Sequence, residues 1–131
     1  MKTILALILL ISTNAFGDEW TRGDTYREAA FQTLNVIDWG QTRYIAQNPD
    51  RFIESTGGVG YGGSARYIGE HPTVNGVNTY MAESAVIHYA ISKALVHYGY
   101  HTAAEIFQYV TIGQKLDATL GNVAVGVKVA F

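Results

Sequence analysis

Residues 78–120 read NTYMAESAVIHYAISKALVHYGYHTAAEIFQYVTIGQKLDATL. Apolar residues return every three or four positions on both sides of one interruption, Tyr98-Gly99-Tyr100-His101. That is the period of amphipathic helices, not of strands. The first half predicts a helix capped by Asn75 or Asn78 and running to His97. Its inner face is expected at Val77, Tyr80, Met81, Ser84, Ala85, His88, Ile91 and Leu95. The second half predicts a helix over 103–120, opened by the capping box Thr102-Ala103-Ala104-Glu105. Ile106, Tyr109, Val110, Gly113, Leu116 and Leu120 line one side of it. So short a link makes the pair an antiparallel helical hairpin.

Upstream, Thr25-Tyr26-Arg27-Glu28 fits another capping box and opens a helix expected over 25–46. Tyr26, Ala30, Leu34, Ile37, Tyr44 and Ile45 form its apolar stripe. Gly40 inside it permits close packing or a bend, and Asn48-Pro49 ends it. Residues 55–69 hold six glycines and predict a Gly-rich surface loop. They lack the G-x-x-x-x-G-K-[ST] pattern of a phosphate loop. Downstream, valines at 123, 125, 127 and 129 and Phe131 alternate with smaller or polar residues. This predicts a short C-terminal β tail over 123–131. Its partner is the Gly-rich segment, another copy or nothing, in which case the segment prolongs the preceding helix. The expected fold is mainly α: one helix packed on an antiparallel helical hairpin, with a Gly-rich loop and a C-terminal β tail.

The first seventeen residues read as an address. Lys2 precedes eight apolar residues, Ile4 to Ile11, and Ala15-Phe16-Gly17 places small residues for a cut before Asp18. That order is a secretory signal peptide, too short to span a bilayer. Residues 18–131 are then one small helical domain. The chain has 9 Lys+Arg, 11 Asp+Glu and no Cys. The balance gives no electrostatic footprint for nucleic acid. The missing thiols exclude disulfides, thiol nucleophiles and Cys-type zinc sites.

Membrane readings divide. Glu83 and Lys93 interrupt one hairpin helix, and Glu105, Lys115 and Asp117 the other, each costly at a bilayer centre. A membrane-embedded hairpin perturbing the inner membrane is the alternative to a helical core in water. A β-barrel needs at least eight strands, for which the helical patterns leave no room.

Candidate chemistry is sparse, and no cofactor is implied. His97 and His101 make an H-x-x-x-H, with Glu105 as the nearest third ligand, but Gly99 lies between them at the turn. His88 lies on the inner face of its helix, as a core residue or as a catalytic or pH-sensing group. Ser84 stands one turn before it, without a Gly-x-Ser-x-Gly elbow. The densest polar-aromatic cluster is Asp38-Trp39-Gly40-Gln41-Thr42-Arg43. Asp38 and Arg43, or Arg43 and a distant carboxylate, are candidates for an internal ion pair. Trp39, Gln41 and Arg43 are the candidate binding patch.

Several motifs have a familiar look. They include Glu19-Trp20-Thr21, Asp24-Thr25-Tyr26-Arg27-Glu28 and Ile37-Asp38-Trp39-Gly40-Gln41-Thr42-Arg43. Ile45-Ala46-Gln47-Asn48-Pro49, Gly69-Glu70-His71-Pro72, Val77-Asn78-Thr79-Tyr80, His88 and Gln108-Tyr109-Val110-Thr111-Ile112-Gly113 continue the series. With the leader, the chain resembles small exported proteins of unknown function encoded by tailed bacteriophages, prophages and some bacteria. The Gly-rich 55–67 stretch departs from that pattern and inherits nothing. The resemblance implies an envelope destination and no mechanism. The expectation is a non-enzymatic exported protein whose partner is an envelope protein or a membrane surface. The other reading is a periplasmic metal-binding or enzymatic protein using His88 or His97 with His101.

Overall fold

A computed structural model describes residues 20–54 and 64–131. The predicted signal peptide, 1–17, and most of the Gly-rich loop lie outside the described residues. The fold is mainly helical: α1 (Arg22–Gln47), α2 (Ala65–Ile68), α3 (Val74–His97) and α4 (His101–Ala124). α1 packs on both α3 and α4, which also touch each other, and the single turn α2 rests on α3. α2 is built from the end of the predicted loop.

The helix starts differ from those predicted. α1 begins three residues early, because Thr21-Arg22-Gly23-Asp24 forms the capping box. The Thr21 hydroxyl accepts from Asp24 N–H at 3.1 Å, and Asp24 accepts from Thr21 N–H at 2.8 Å. Thr25 instead accepts from Trp20 Nε1 at 2.9 Å, and Glu28 is drawn inward to His88. Thr73, not Asn75 or Asn78, caps α3 by accepting from Gly76 N–H. The Thr102–Glu105 box does not form. α4 starts at His101 behind Tyr100, which makes no side-chain cap bond, and Glu105 turns to Arg27.

The predicted β tail is not a strand. α4 runs on to Ala124, and no strand is found among the described residues. Gly126, at φ +85°, turns the chain back. With no strand to pair with, the tail lies on α1: Ala130 N–H donates to Gly40 O at 3.0 Å. The Arg43 guanidinium donates to Ala130 O at 3.3 Å. A Cβ on residue 40 would collide with Val129 and come within 2.8 Å of Phe131 Cε2. Glycine lets the tail approach this closely, since any side chain would have to displace those two side-chain ends.

Two small apolar clusters close the ends of the bundle. Trp20, Val96 and Ala104 form one, with Tyr89 and Leu95 against it. Trp39, Val77 and Met81 form the other, with Ile68 and Tyr80 against it.

Candidate functional site

The buried side of α1 is polar. Asp24, Glu28, Phe31, Asn35, Asp38, Thr42 and Ile45 are all buried and recur at spacings of 4 and 3, the period of a helix seam. The predicted stripe lies elsewhere: Tyr26 is 72% exposed, Ala30 is exposed, and Leu34 and Ile37 are half-buried. α4 shows the same inversion. Ala104, Gln108 and Thr119 face inward, while Ile106, Tyr109, Val110, Leu116 and Leu120 face out. α3 follows its predicted face more closely, with Ser92 and Val96 replacing Ile91 and Leu95 inside. Buried amides do the joining. Gln32 Nε2 donates to Ala85 O at 3.0 Å, Asn35 Nδ2 to Met81 O at 3.2 Å and Gln41 Nε2 to Thr119 O at 3.2 Å. Such groups specify a packing only when partnered, since an orphaned buried polar group is costly.

At the centre stands a carboxylate–imidazole–hydroxyl chain. His88 Nδ1 lies 3.1 Å from Glu28 Oε1 and 2.9 Å from Oε2. His88 Nε2 lies 2.8 Å from Thr111 Oγ1. The imidazole stacks on Phe31, ring centroids 3.5 Å apart, and on Phe107 at 4.8 Å. Gln32 Nε2 donates to Glu28 Oε1 at 2.8 Å. Thr111 Oγ1 is also 2.8 Å from Phe107 O. When its proton goes to that carbonyl, it meets Nε2 as an acceptor; when it turns to Nε2, the helix carbonyl loses that bond.

The order resembles a nucleophile, base and orienter. However, Thr111 sits in the middle of α4, where backbone N–H groups are spent in the helix, leaving no pair for an oxyanion. The chain is suited to fixing the helices together rather than to acyl transfer. It was readable only as a periodicity of polar residues, Asp24, Glu28, Asn35 and Asp38, and reasoning from the capping box missed it.

Two further ion pairs flank it. Lys115 Nζ donates to Asp38 Oδ2 at 2.6 Å, so Asp38 pairs across the bundle and not with Arg43. Arg27 holds Asp24 at 2.7 Å and donates to Gln108 Oε1 at 2.8 Å. Burial, the largest single influence, opposes ionisation of Asp24. The Thr21 hydroxyl and N–H and the Arg27 guanidinium together outweigh it and hold the carboxyl below its ordinary range. Burial, with the negative charge of Asp38 behind it, pushes the Tyr80 phenol up.

The predicted binding residues do not form one exposed cluster. Trp39 is buried and donates from Nε1 to Asn78 Oδ1 at 2.8 Å. Arg43 donates to the same oxygen at 2.7 Å. Gln41, 1% exposed, faces α4 instead and accepts from Asn122 Nδ2 at 3.1 Å. Both nitrogens of His88 are engaged by Glu28 and Thr111, not by Ser84. His97 packs edge-on against Tyr98 and His101 is exposed. Among the described residues no group of three His, Asp or Glu side chains is gathered for a metal.

The surface is the complement of this interior. Among the described residues seventeen large apolar side chains are exposed, against ten buried hydrophobic residues. Isolated exposed apolar residues are ordinary, but contiguous ones mark contact surfaces. Ile106, Val110 and Leu120 share the outward side of α4, and Val86, Ile87 and Ile91 that of α3. Among the described residues no helix is long and apolar enough to cross a membrane. No protein family, curated protein or solved structure matches this chain.

Proposed function

We propose that this chain is a small exported envelope protein of the phage or prophage type, acting without catalysis through contact with a protein or a membrane. The observation that carries the reading is the inverted amphipathicity of α4. Its polar side chains Gln108, Thr111 and Lys115 bond inward and Thr119 is buried, and Ile106, Val110 and Leu120 are more than half exposed. In this reading α3 and α4 act as an antiparallel hairpin on which α1 is laid, held by the polar seam. The seam leaves the apolar sides available to a partner. The leader-like segment Ile4 to Ile11 and the resemblance of the motifs to those of small exported phage proteins support the destination.

The test is fractionation of cells expressing the full chain. The chain is expected in the envelope fraction. Ile87→Lys and Val110→Lys are expected to release it, and Asn75→Lys, about three turns of α3 before Ile87, is not. Envelope association untouched by either apolar-face charge would sink the contact reading.

A further inference from the structure

We propose that Gly40 and Arg43 on α1 form a recognition site for an extended acidic peptide segment of another protein, and that residues 128–131 fill this site in cis as a displaceable occupant. The occupant shows how the site reads a chain. Ala130 is held by its main-chain groups: its N–H donates to Gly40 O at 3.0 Å, and its O accepts from Arg43 Nε at 3.3 Å. A grip on the main chain accepts many side chains at that position, and the pockets on either side set the choice. Here Val129 and Phe131, the two flanking residues, take the space that a Cβ at position 40 would fill. An extended segment places two such residues on one side. The site therefore takes an apolar residue, a small one and an apolar one in extended form.

Charge complementarity names the ligand class. Arg43 is half-buried and gives its N–H groups to two neutral oxygens, Asn78 Oδ1 and Ala130 O. Among the described residues no carboxylate pairs with it. The only charged side chain in 122–131 is Lys128, of the same sign as Arg43. The tail is thus a poor match for its own site. A segment with a carboxylate in place of Lys128 offers the guanidinium the opposite charge, and a hydrogen bond to an ionised acceptor is about twice as strong as a neutral one. Displacement asks little of the fold. Val127 N–H donates to Asn122 O and Gly126 N–H to Val123 O, the paired bonds of a Schellman cap around a left-handed glycine. This cap and the buried Val127 stay in place while residues 128–131 swing away. A second copy of this chain brings only the same lysine, so it is the poorer occupant. The site uses none of the residues on which the contact reading rests, so the inference goes beyond that reading and can fail without it.

The experiment uses the full chain and two synthetic peptides. One is Val-Gly-Val-Lys-Val-Ala-Phe, the sequence of residues 125–131; the other carries the Lys128→Glu change. Hydrogen exchange at Ala130 N–H is followed as each is added. The acidic peptide is expected to remove protection there at about tenfold lower concentration than the lysine peptide. Arg43→Gln in the full chain is expected to bring the two peptides level. Two further variants both free the tail. Val129→Ser/Phe131→Ser leaves the notch open and is expected to bind the labelled acidic peptide, read by anisotropy. Gly40→Ala fills the notch and is expected not to bind it. Protection at Ala130 that neither peptide alters in the full chain overturns the inference, even where a variant fails to fold. So does equal potency of the two peptides on the unaltered chain, or a Gly40→Ala chain that binds as well as the serine variant.

Discussion

His88 and Glu28 face each other across the α1–α3 contact, Nδ1 to Oε2 at 2.9 Å, with the carboxylate fully buried and the imidazole 4% exposed. Removing one member of such a pair leaves an uncompensated polar group, at a cost of about 3–5 kcal/mol. Glu28→Ala and His88→Ala are therefore expected to lower stability by about that amount each, measured as urea midpoints. The double variant Glu28→Leu/His88→Leu is expected to recover much of the loss, because two apolar groups of similar size leave nothing to desolvate. Additive losses across this set would mean the two side chains are not coupled.

Gly40 carries the tail. An added Cβ meets Val129 and Phe131, the far ends of two packed side chains. Gly40→Ala should therefore loosen residues 127–131 while leaving α1 intact, at a cost of about 1–3 kcal/mol. Hydrogen exchange at Ala130 N–H, which donates to Gly40 O, reads this directly. Unchanged protection there would show that the tail tolerates the methyl group.

The number and type of the long helices were legible in the sequence, because the 3.6 period persists through 25–46, 78–97 and 103–120. The faces of α1 and α4 were not. Assigning the apolar stripe to the interior is sound when a core is apolar, but Asp24, Glu28, Asn35 and Asp38 keep the same period and are the residues buried. Capping boxes failed through competition. Thr21-x-x-Asp24 and Thr25-x-x-Glu28 both have the pattern, and the choice turned on Trp20, a near neighbour that engages Thr25, and on His88, a partner from another helix that engages Glu28. The alternation of 123–131 signals strand propensity, but propensity without a neighbouring edge leaves the backbone to find other acceptors, here Gly40 O.

Asp24 gives the fold a pH dependence with a defined sign. Its carboxyl is held below its ordinary range by the Thr21 hydroxyl and N–H and by Arg27, against the opposing and largest influence of burial. A carboxyl lowered in the folded state contributes stability that is fully present above its unfolded pKa. That contribution disappears as pH falls through the lower folded value. The wild-type chain should thus lose stability on acidification, and Asp24→Asn should flatten that slope in the same acid window. Near neutral pH, Asp24→Ala removes the N3 half of the capping box headed by Thr21 and is expected to cost about 0.5–2 kcal/mol. Parallel acid profiles for wild type and Asp24→Asn, followed by helix circular dichroism, would contradict the assignment.

Asn78 Oδ1 is a hub, accepting from Trp39 Nε1 at 2.8 Å and Arg43 Nη1 at 2.7 Å. Asn78→Leu keeps the volume and removes the acceptor. It leaves a buried indole N–H unpaired and frees one arm of the guanidinium, a loss of about 1–3 kcal/mol. Trp39 emission should shift with it, while Trp20, at the opposite end cluster, should not. Trp39→Phe removes the donor at one side of the hub and should make the later Asn78→Leu change less costly. This cycle also separates packing from recognition. If Trp39 and Arg43 serve the fold, envelope association should follow the stability of these variants. Association lost in a variant that remains as stable as wild type would instead return Trp39 and Arg43 to the contact surface.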